Sequence, residues 1–289
     1  MATFKHISSK NADYGAAEQY LTFEHDEFTM KPTLDENGRL MLREDYRIAT
    51  LNCGGEDFAV ACMRSNLRYG KNQKREDVKS HHYIISFDPR DAADNGLTVD
   101  RAQMLGEEFC RKQFPGHQAI VCTHPDGHNH SGNIHVHIVI NSLRIAEVPF
   151  LPYMDRPADT RVGCKHRCTD AAMEYFKAEV MELCHRENLY QIDLLHGSKN
   201  RITEREYWAQ RKGQAKLDEK AAALPAGEQP AKSTKFETDK EKLRQTIRAA
   251  LSSAASYDEF AAVLLQQGVT VKESRGRLSY LTPDRTKPI

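Results

Sequence analysis

Residues 134–141 constrain this chain more than any other stretch. Ile134, Val136, Ile138 and Ile140 alternate strictly with His135, His137, Val139 and Asn141. A period of two marks a β-strand, with one aliphatic face packed and the other turned to a different environment. His135 and His137 therefore project from the same side of one rigid strand. Such a strand needs partners. Residues 119–123 form a short apolar run, and residues 81–87 carry Tyr83, Ile84, Ile85 and Phe87. A further short strand is expected over residues 3–7.

Helices are expected around these strands. Residues 14–23 and 57–68 read as helices, the second stopped by Tyr69-Gly70. Thr98 caps a helix with apolar Met104, Leu105 and Phe109, ended by Pro115-Gly116. Met173, Phe176, Val180 and Cys184 recur at helical spacing over residues 169–186. Residues 24–47 are polar and turn-rich, a surface excursion. Thr203 with Glu206 forms a capping box that opens a polar helix to about 223. Residues 224–235 hold Pro225, Gly227, Pro230 and Ser233 and read as a linker. Helices over 240–251 and 256–267 follow, then a hairpin over 269–281 turning at Ser274-Arg275-Gly276.

The expected fold class is α+β: a central antiparallel sheet with helices on one face, a helical extension, and a small C-terminal helix-helix-hairpin unit. The expected domains are 1–212, a polar linker 213–238, and 239–289, an incomplete unit.

The chain has 289 residues with 41 basic and 41 acidic side chains. Zero net charge excludes a globally basic coat for nucleic acid, but leaves room for a local basic groove. No apolar run approaches the ~18 residues of a membrane span. The first six residues lack a signal core, so membrane insertion and export are not expected. Seven cysteines without zinc-ribbon spacing read as reduced thiols in the cytoplasm. Cys164 and Cys168 with His166 lack the second pair that a zinc site calls for.

The histidines are concentrated. His124, His128, His130, His135 and His137 fall within residues 124–137. If residues 119–123 pair with the alternating strand, His124 reaches the face of His135 and His137 and completes a three-nitrogen site. Neutral imidazole is the commonest nitrogen ligand for divalent metals, and three leave coordination positions open for catalysis. Asp126 is placed to orient a ligand or to accept a proton. His128 and His130 read as loop residues, each a competitor of His124 for the first ligand position.

His135-Val136-His137 in an apolar strand, preceded by His124-Pro125-Asp126 and followed by Ile138-Val139-Ile140-Asn141, resembles the histidine motif of relaxases. These are mobilisation nucleases of the HUH endonuclease superfamily; the likeness is to the MobA-like, MOBP-type branch from conjugative or mobilisable elements. The segments from Asn52-Cys53 to Tyr69-Gly70-Lys71 and from His82 to Pro89 are similar to the family's connecting segments. The resemblance covers about residues 1 to 210, and the tail is similar to a segment that commonly follows this domain. One departure stands out: His124 lies eleven residues before His135, more than the family pattern suggests.

The resemblance implies a palm-like five-stranded sheet and a nucleophilic tyrosine on an early helix, followed by an aliphatic residue. Gln19-Tyr20-Leu21 matches that pattern, with Tyr14 as the competitor. It also implies site- and strand-specific nicking at an origin of transfer, through a 5′-phosphotyrosine intermediate, to initiate conjugative transfer. The ion is expected to be Mn²⁺ or Mg²⁺. The partners are single-stranded origin DNA, accessory relaxosome proteins and a coupling protein. Arg64, Arg68, Lys71, Lys74, Arg75, Arg161, Lys165 and Arg167 are the expected DNA-backbone contacts. Two alternatives stay open: a rolling-circle replication initiator with the same chemistry, and a DNA-binding module whose metal is structural.

Overall fold

The computed structural model describes residues 2–26, 29, 31–125, 132–197, 202–223 and 235–288. They fall into two compact units, Met1–Lys199 and Asn200–Ile289.

In the first unit, β1 (Thr3–Ser9), β2 (Arg47–Leu51), β3 (Ser80–Ser86), β4 (His117–His124) and β5 (His135–Arg144) form one sheet, in the order β1-β3-β5-β4-β2. Every neighbouring pair is antiparallel. β5, the alternating strand, lies in the middle. All of β4 beside it is buried. The sequence assigns no element to residues 47–51. They form the edge strand β2, paired with β4 from Arg47–Thr123 to Leu51–Ala119.

Among the described residues the α-helices of this unit are α1 (Gly15–Thr22), α2 (Phe58–Arg68), α3 (Arg90–Asp94), α4 (Val99–Gln113) and α5 (Asp170–Arg186). Asp57, Thr98 and Thr169 accept backbone N–H groups at the starts of α2, α4 and α5. These caps satisfy donors that a helix leaves open in its first turn.

The aliphatic face of β5, with Val136, Ile138 and Ile140, packs with Val121, Tyr83 and Ile85 against Phe109 of α4 and Phe176 and Val180 of α5. Gly106 lets α4 approach closely, because a Cβ there would stand 2.3 Å from Val136 Cγ1. The opposite face carries Ile120, Cys122 and Val139, covered by Tyr14, Leu21, Phe58 and Cys62. Helices thus cover both faces of the sheet, not one. The reason is that Val139, Ile120 and Cys122 are apolar too, and α1 and α2 remove them from water.

Residues 24–46 fold back on themselves through the bridges Phe23–Leu42, His25–Pro32 and Leu34–Leu40. All seven cysteines are free thiols. Among the described residues, no helix is long and apolar enough to cross a membrane.

The second unit contains α6 (Glu204–Ala222), α7 (Asp239–Ser253), α8 (Tyr257–Gln266) and a hairpin of β6 (Thr270–Ser274) and β7 (Arg277–Leu281). Leu243, Ala250, Phe260, Leu264 and Val269 form its core. Arg275 and Gly276 turn the hairpin with φ of 53° and 72°, the left-handed pair that matches strand twist. Here α6 belongs with the C-terminal helices. Glu206 of α6 pairs with Arg244 of α7 at 2.9 Å, and the Phe236 ring lies over Gly213. Of the expected linker 213–238, residues 213–222 continue α6, and 224–234 lie outside the described residues.

Candidate metal centre and active site

The sheet register decides which side chains meet. His124 of β4 stands opposite His135 of β5, and Cys122 stands opposite His137. Directly opposed residues of an antiparallel pair share a face. One ligand atom each from His124, His135 and His137 can be chosen so that all lie within 4.8 Å of one another. The rings are 5.1 Å apart for His124–His135 and 4.8 Å for the other two pairs.

Hydrogen bonds fix which nitrogens are open. A carbonyl oxygen only accepts, so the ring nitrogen facing it carries the proton. His124 Nε2–H donates to Leu21 O at 2.8 Å, and His135 Nδ1–H donates to Asn133 O at 3.2 Å. The lone pairs of His124 Nδ1 and His135 Nε2 then face each other at 3.3 Å. Two lone pairs at that range repel unless a cation lies between them. The separation is also about that of two nitrogens that share one ion at roughly 2.0–2.1 Å each. His137 Nδ1 is taken by His82 Nε2 at 2.8 Å, which leaves Nε2 of His137 for the shared position. The donor set therefore fits a divalent ion, and its all-imidazole character suits Mn²⁺, Co²⁺, Ni²⁺ or Zn²⁺.

Electrostatics point the same way. Burial pushes the His124 pKa down to about 3, helped by Arg43 and His135. Burial also holds His137 well below its ordinary value, with His135, His82 and His124 adding to the effect. Both rings are neutral at pH 7, the form that binds metal.

Helix α1 delivers the tyrosine. Leu21 is fully buried and its carbonyl holds His124, which fixes the C-terminal turn of the helix over the sheet. The Tyr20 ring packs 5.9 Å from His137, 6.2 Å from His82 and 5.2 Å from His25. Burial raises the phenol's pKa, and the positive charge of Arg43 opposes that rise. Tyr14 sits elsewhere. Its hydroxyl donates to Lys79 O at 3.0 Å and accepts from Asn66 Nδ2 at 2.8 Å, in a buried cluster with Asn72 and Asn141. Asn141 is four residues along β5 from His137, about 13 Å at strand spacing.

Asp126, His128 and His130 lie outside the described residues. His166 forms no cluster with Cys164 and Cys168: its Nε2 pairs with Tyr83 Oη at 2.7 Å, while Cys168 Sγ faces His6 at 3.5 Å.

The two basic segments adjoin. Lys165 Nζ lies 3.4 Å from Asp77, and Gly163 faces Tyr69. Arg64 pairs with Glu56 at 2.5 Å, Arg167 with Asp155 and Asp159, and Arg68 stacks over Tyr69. Lys71, Lys74, Arg75 and Arg161 are exposed, with no ion pair among the described residues. Lys79, in the same run, is buried and donates to Lys74 O at 2.7 Å.

Two residues beside the triad escape sequence reading. His82 falls within an expected strand, but its neighbour across the sheet is set by strand order. Arg43 lies in a polar excursion that carries no motif.

A family model described as the nuclease domain of MobA/VirD2-like relaxases matches residues 40–148. Protein rlx of Staphylococcus aureus is 27% identical over 225 residues, covering 78% of this chain and 52% of that relative. The chain thus spans about half the length of this curated relative. One similar solved structure concerns the molecular basis of vancomycin resistance transfer in Staphylococcus aureus. It covers 70% of this chain and 97% of its own, at 13% identity and a TM-score of 0.40. Another is the conjugative relaxase TrwC in complex with oriT DNA in a metal-bound state, covering 92% and 99%, at 12% identity and a TM-score of 0.36. The matched segment runs through β2, β3, β4 and β5 and so carries all three imidazoles, and over it this chain is similar to the nuclease domain of MobA/VirD2-like relaxases.

Proposed function

We propose that this protein nicks one DNA strand at an origin of transfer, with Tyr20 as nucleophile and a divalent ion held by His124, His135 and His137. The nick starts conjugative transfer or mobilisation, together with accessory relaxosome proteins and a coupling protein. What supports the reading is the packing of Tyr20 beside His137, on the face that gathers three imidazoles, within a relaxase nuclease domain.

Tyr20 Oη attacks the scissile phosphorus, the P–O3′ bond breaks, and the 3′-oxygen leaves with a proton. The product is a 5′-phosphotyrosine and a free 3′-hydroxyl. This exchange of one phosphodiester for another is reversible, so the strand can be rejoined. The phenol is partly buried, which disfavours its ionised form, so the attack depends on positive charge nearby. The neutral imidazoles of His124, His135 and His137 would hold a divalent ion, which when bound would supply that charge as a Lewis acid. Leu21 O and His82 hold two of these imidazoles in place. Asp126 is the proposed acceptor of the phenol proton. Lys71, Lys74, Arg75 and Arg161, with Arg64, Arg68, Lys165 and Arg167, are the proposed contacts to the single strand.

The test is a reaction of the full chain with Mn²⁺ and a single-stranded oligonucleotide carrying the cognate origin, followed by tryptic digestion and fragment-ion mass spectrometry. Residues 11–39 form one tryptic peptide holding both Tyr14 and Tyr20, since Pro32 blocks cleavage after Lys31, so fragment ions must localise the nucleotide. It is expected on Tyr20. A nucleotide on Tyr14 moves the role. Cleavage without an adduct replaces the mechanism by hydrolysis through activated water.

A further inference from the structure

Arg43 differs from four other arginines of its unit. Arg47, Arg64, Arg90 and Arg101 each pair with a carboxylate. Arg43 has no ion pair and no side-chain hydrogen bond among the described residues, and its Nε is buried without a partner. Its backbone is tied to the last turn of α1: Arg43 N–H donates to Thr22 O at 3.0 Å, and Leu42 bridges Phe23. These anchors are two and three residues from Tyr20. Thr22 follows Leu21, whose carbonyl holds His124, so Arg43 is anchored beside the contact that orients a ring of the triad, and its charge opposes the rise of the Tyr20 pKa.

An unpaired, partly buried cation beside neutral imidazoles is a costly arrangement until an anion completes it. A phosphodiester is an anion of matching form, because a guanidinium presents parallel N–H donors to two phosphate oxygens. We propose that Arg43 is a catalytic residue that grips the non-bridging oxygens of the scissile phosphate while Tyr20 Oη attacks. This rests on the nicking function proposed above. Arg43 keeps its protons throughout: the O–P bond to Tyr20 forms, the P–O3′ bond breaks, and the phenol proton ends on the 3′-oxygen. The guanidinium stabilises the charge that builds on the equatorial oxygens.

The experiment compares wild type, Arg43→Ala and Arg43→Lys as full chains. Each is assayed in single turnover with Mn²⁺ and an origin oligonucleotide, for oligonucleotide affinity by fluorescence anisotropy, and for Mn²⁺ affinity without DNA. Arg43→Ala is expected to slow adduct formation about 100- to 1000-fold, as loss of one preorganised donor does elsewhere. Arg43→Lys should recover part of the rate, because it restores the charge without the paired donors. Oligonucleotide affinity should change by less than about 3-fold, since one phosphate contact among many is lost. Mn²⁺ affinity should hold or rise, because a positive charge near the ion is removed. With a methylphosphonate at the scissile linkage, which removes a charged oxygen, the gap between wild type and Arg43→Ala should shrink below about 10-fold.

Equal adduct rates for wild type and Arg43→Ala overturn the assignment. A fall in Mn²⁺ affinity, or a gap that persists on the methylphosphonate, overturns it as well, by showing a merely structural role. If wild type itself forms no adduct, the nicking function fails and this inference with it. An active wild type with an unaffected Arg43→Ala removes the inference alone.

Discussion

His82 Nε2 and His137 Nδ1 meet at 2.8 Å. His82 stands opposite Val139 on β3 and so lies diagonal to His137, on the same face of the sheet. A metal-binding imidazole usually donates its second N–H to a carboxylate, a carbonyl or water; here a neutral imidazole accepts it. His82→Ala is expected to lower Mn²⁺ affinity about 10- to 100-fold, and His82→Gln, which keeps an acceptor, to lower it less. Calorimetric titration of the metal-free protein reads both, and unchanged affinity in His82→Ala removes the positioning role.

The two tyrosines should separate cleanly. Tyr20→Phe abolishes the covalent adduct and leaves the unfolding midpoint nearly unchanged, because the ring stays. Tyr14→Phe keeps the adduct but strips Asn66 and Asn72 of a buried partner. It should lose about 1–3 kcal/mol in urea unfolding. A reversed pattern would exchange their roles.

Gly106→Ala places a Cβ 2.3 Å from Val136 Cγ1. Val136 sits between His135 and His137, so the strain falls on the strand that carries both imidazoles. The substitution should destabilise by about 1–3 kcal/mol and weaken Mn²⁺ binding. Adding Val136→Ala should restore part of the binding. No recovery in the double variant would mean that α4 has moved as a whole.

Acid should loosen the sheet by a second route. Burial lowers the pKa of His81 and His117 to about 3 and holds His166 well below its ordinary value. The unfolded chain takes up these protons near pH 6.5, while the folded chain does not. Stability is therefore full above about 6.5 and falls as pH drops from there toward 3, by up to about 1.4 kcal/mol per pH unit per group. Urea midpoints between pH 7.5 and 5 measure this. A midpoint that holds flat down to pH 5 contradicts the buried neutral cluster.

Replacing Lys71, Lys74 and Arg75 together by alanine should reduce the salt slope of single-strand binding by up to about 2. The same change at Arg64 and Arg167 should have a smaller effect, because Glu56, Asp155 and Asp159 already neutralise them. Anisotropy titrations at several salt concentrations decide between the two groups.

Much of the site is legible in the local sequence. The alternation of residues 134–141 puts His135 and His137 on one face without reference to the rest of the chain, because a strand's side chains alternate by backbone geometry alone. Thr98, Thr169, Thr203 and Ser256 announce their helices, and each accepts a backbone N–H at the expected start. β2 escapes because Arg47–Leu51 is a half-exposed edge strand too short to show a period. The helices on the second face escape because the alternation shows only that the histidine face differs from the aliphatic one. It does not show that Val139, Ile120 and Cys122 need cover on that side.

Sequence by itself determined most of the element types, β2 and α3 excepted, the paired imidazoles and the tyrosine on an early helix, since each depends on residues within a few positions of one another. Tertiary structure alone decided that β5 lies between β3 and β4. That order brings His82 to His137, sets His124 against His135, and lets the excursion after α1 swing Arg43 toward Tyr20. These are contacts between residues tens of positions apart, and they are selected by which faces can be buried together rather than by any local preference.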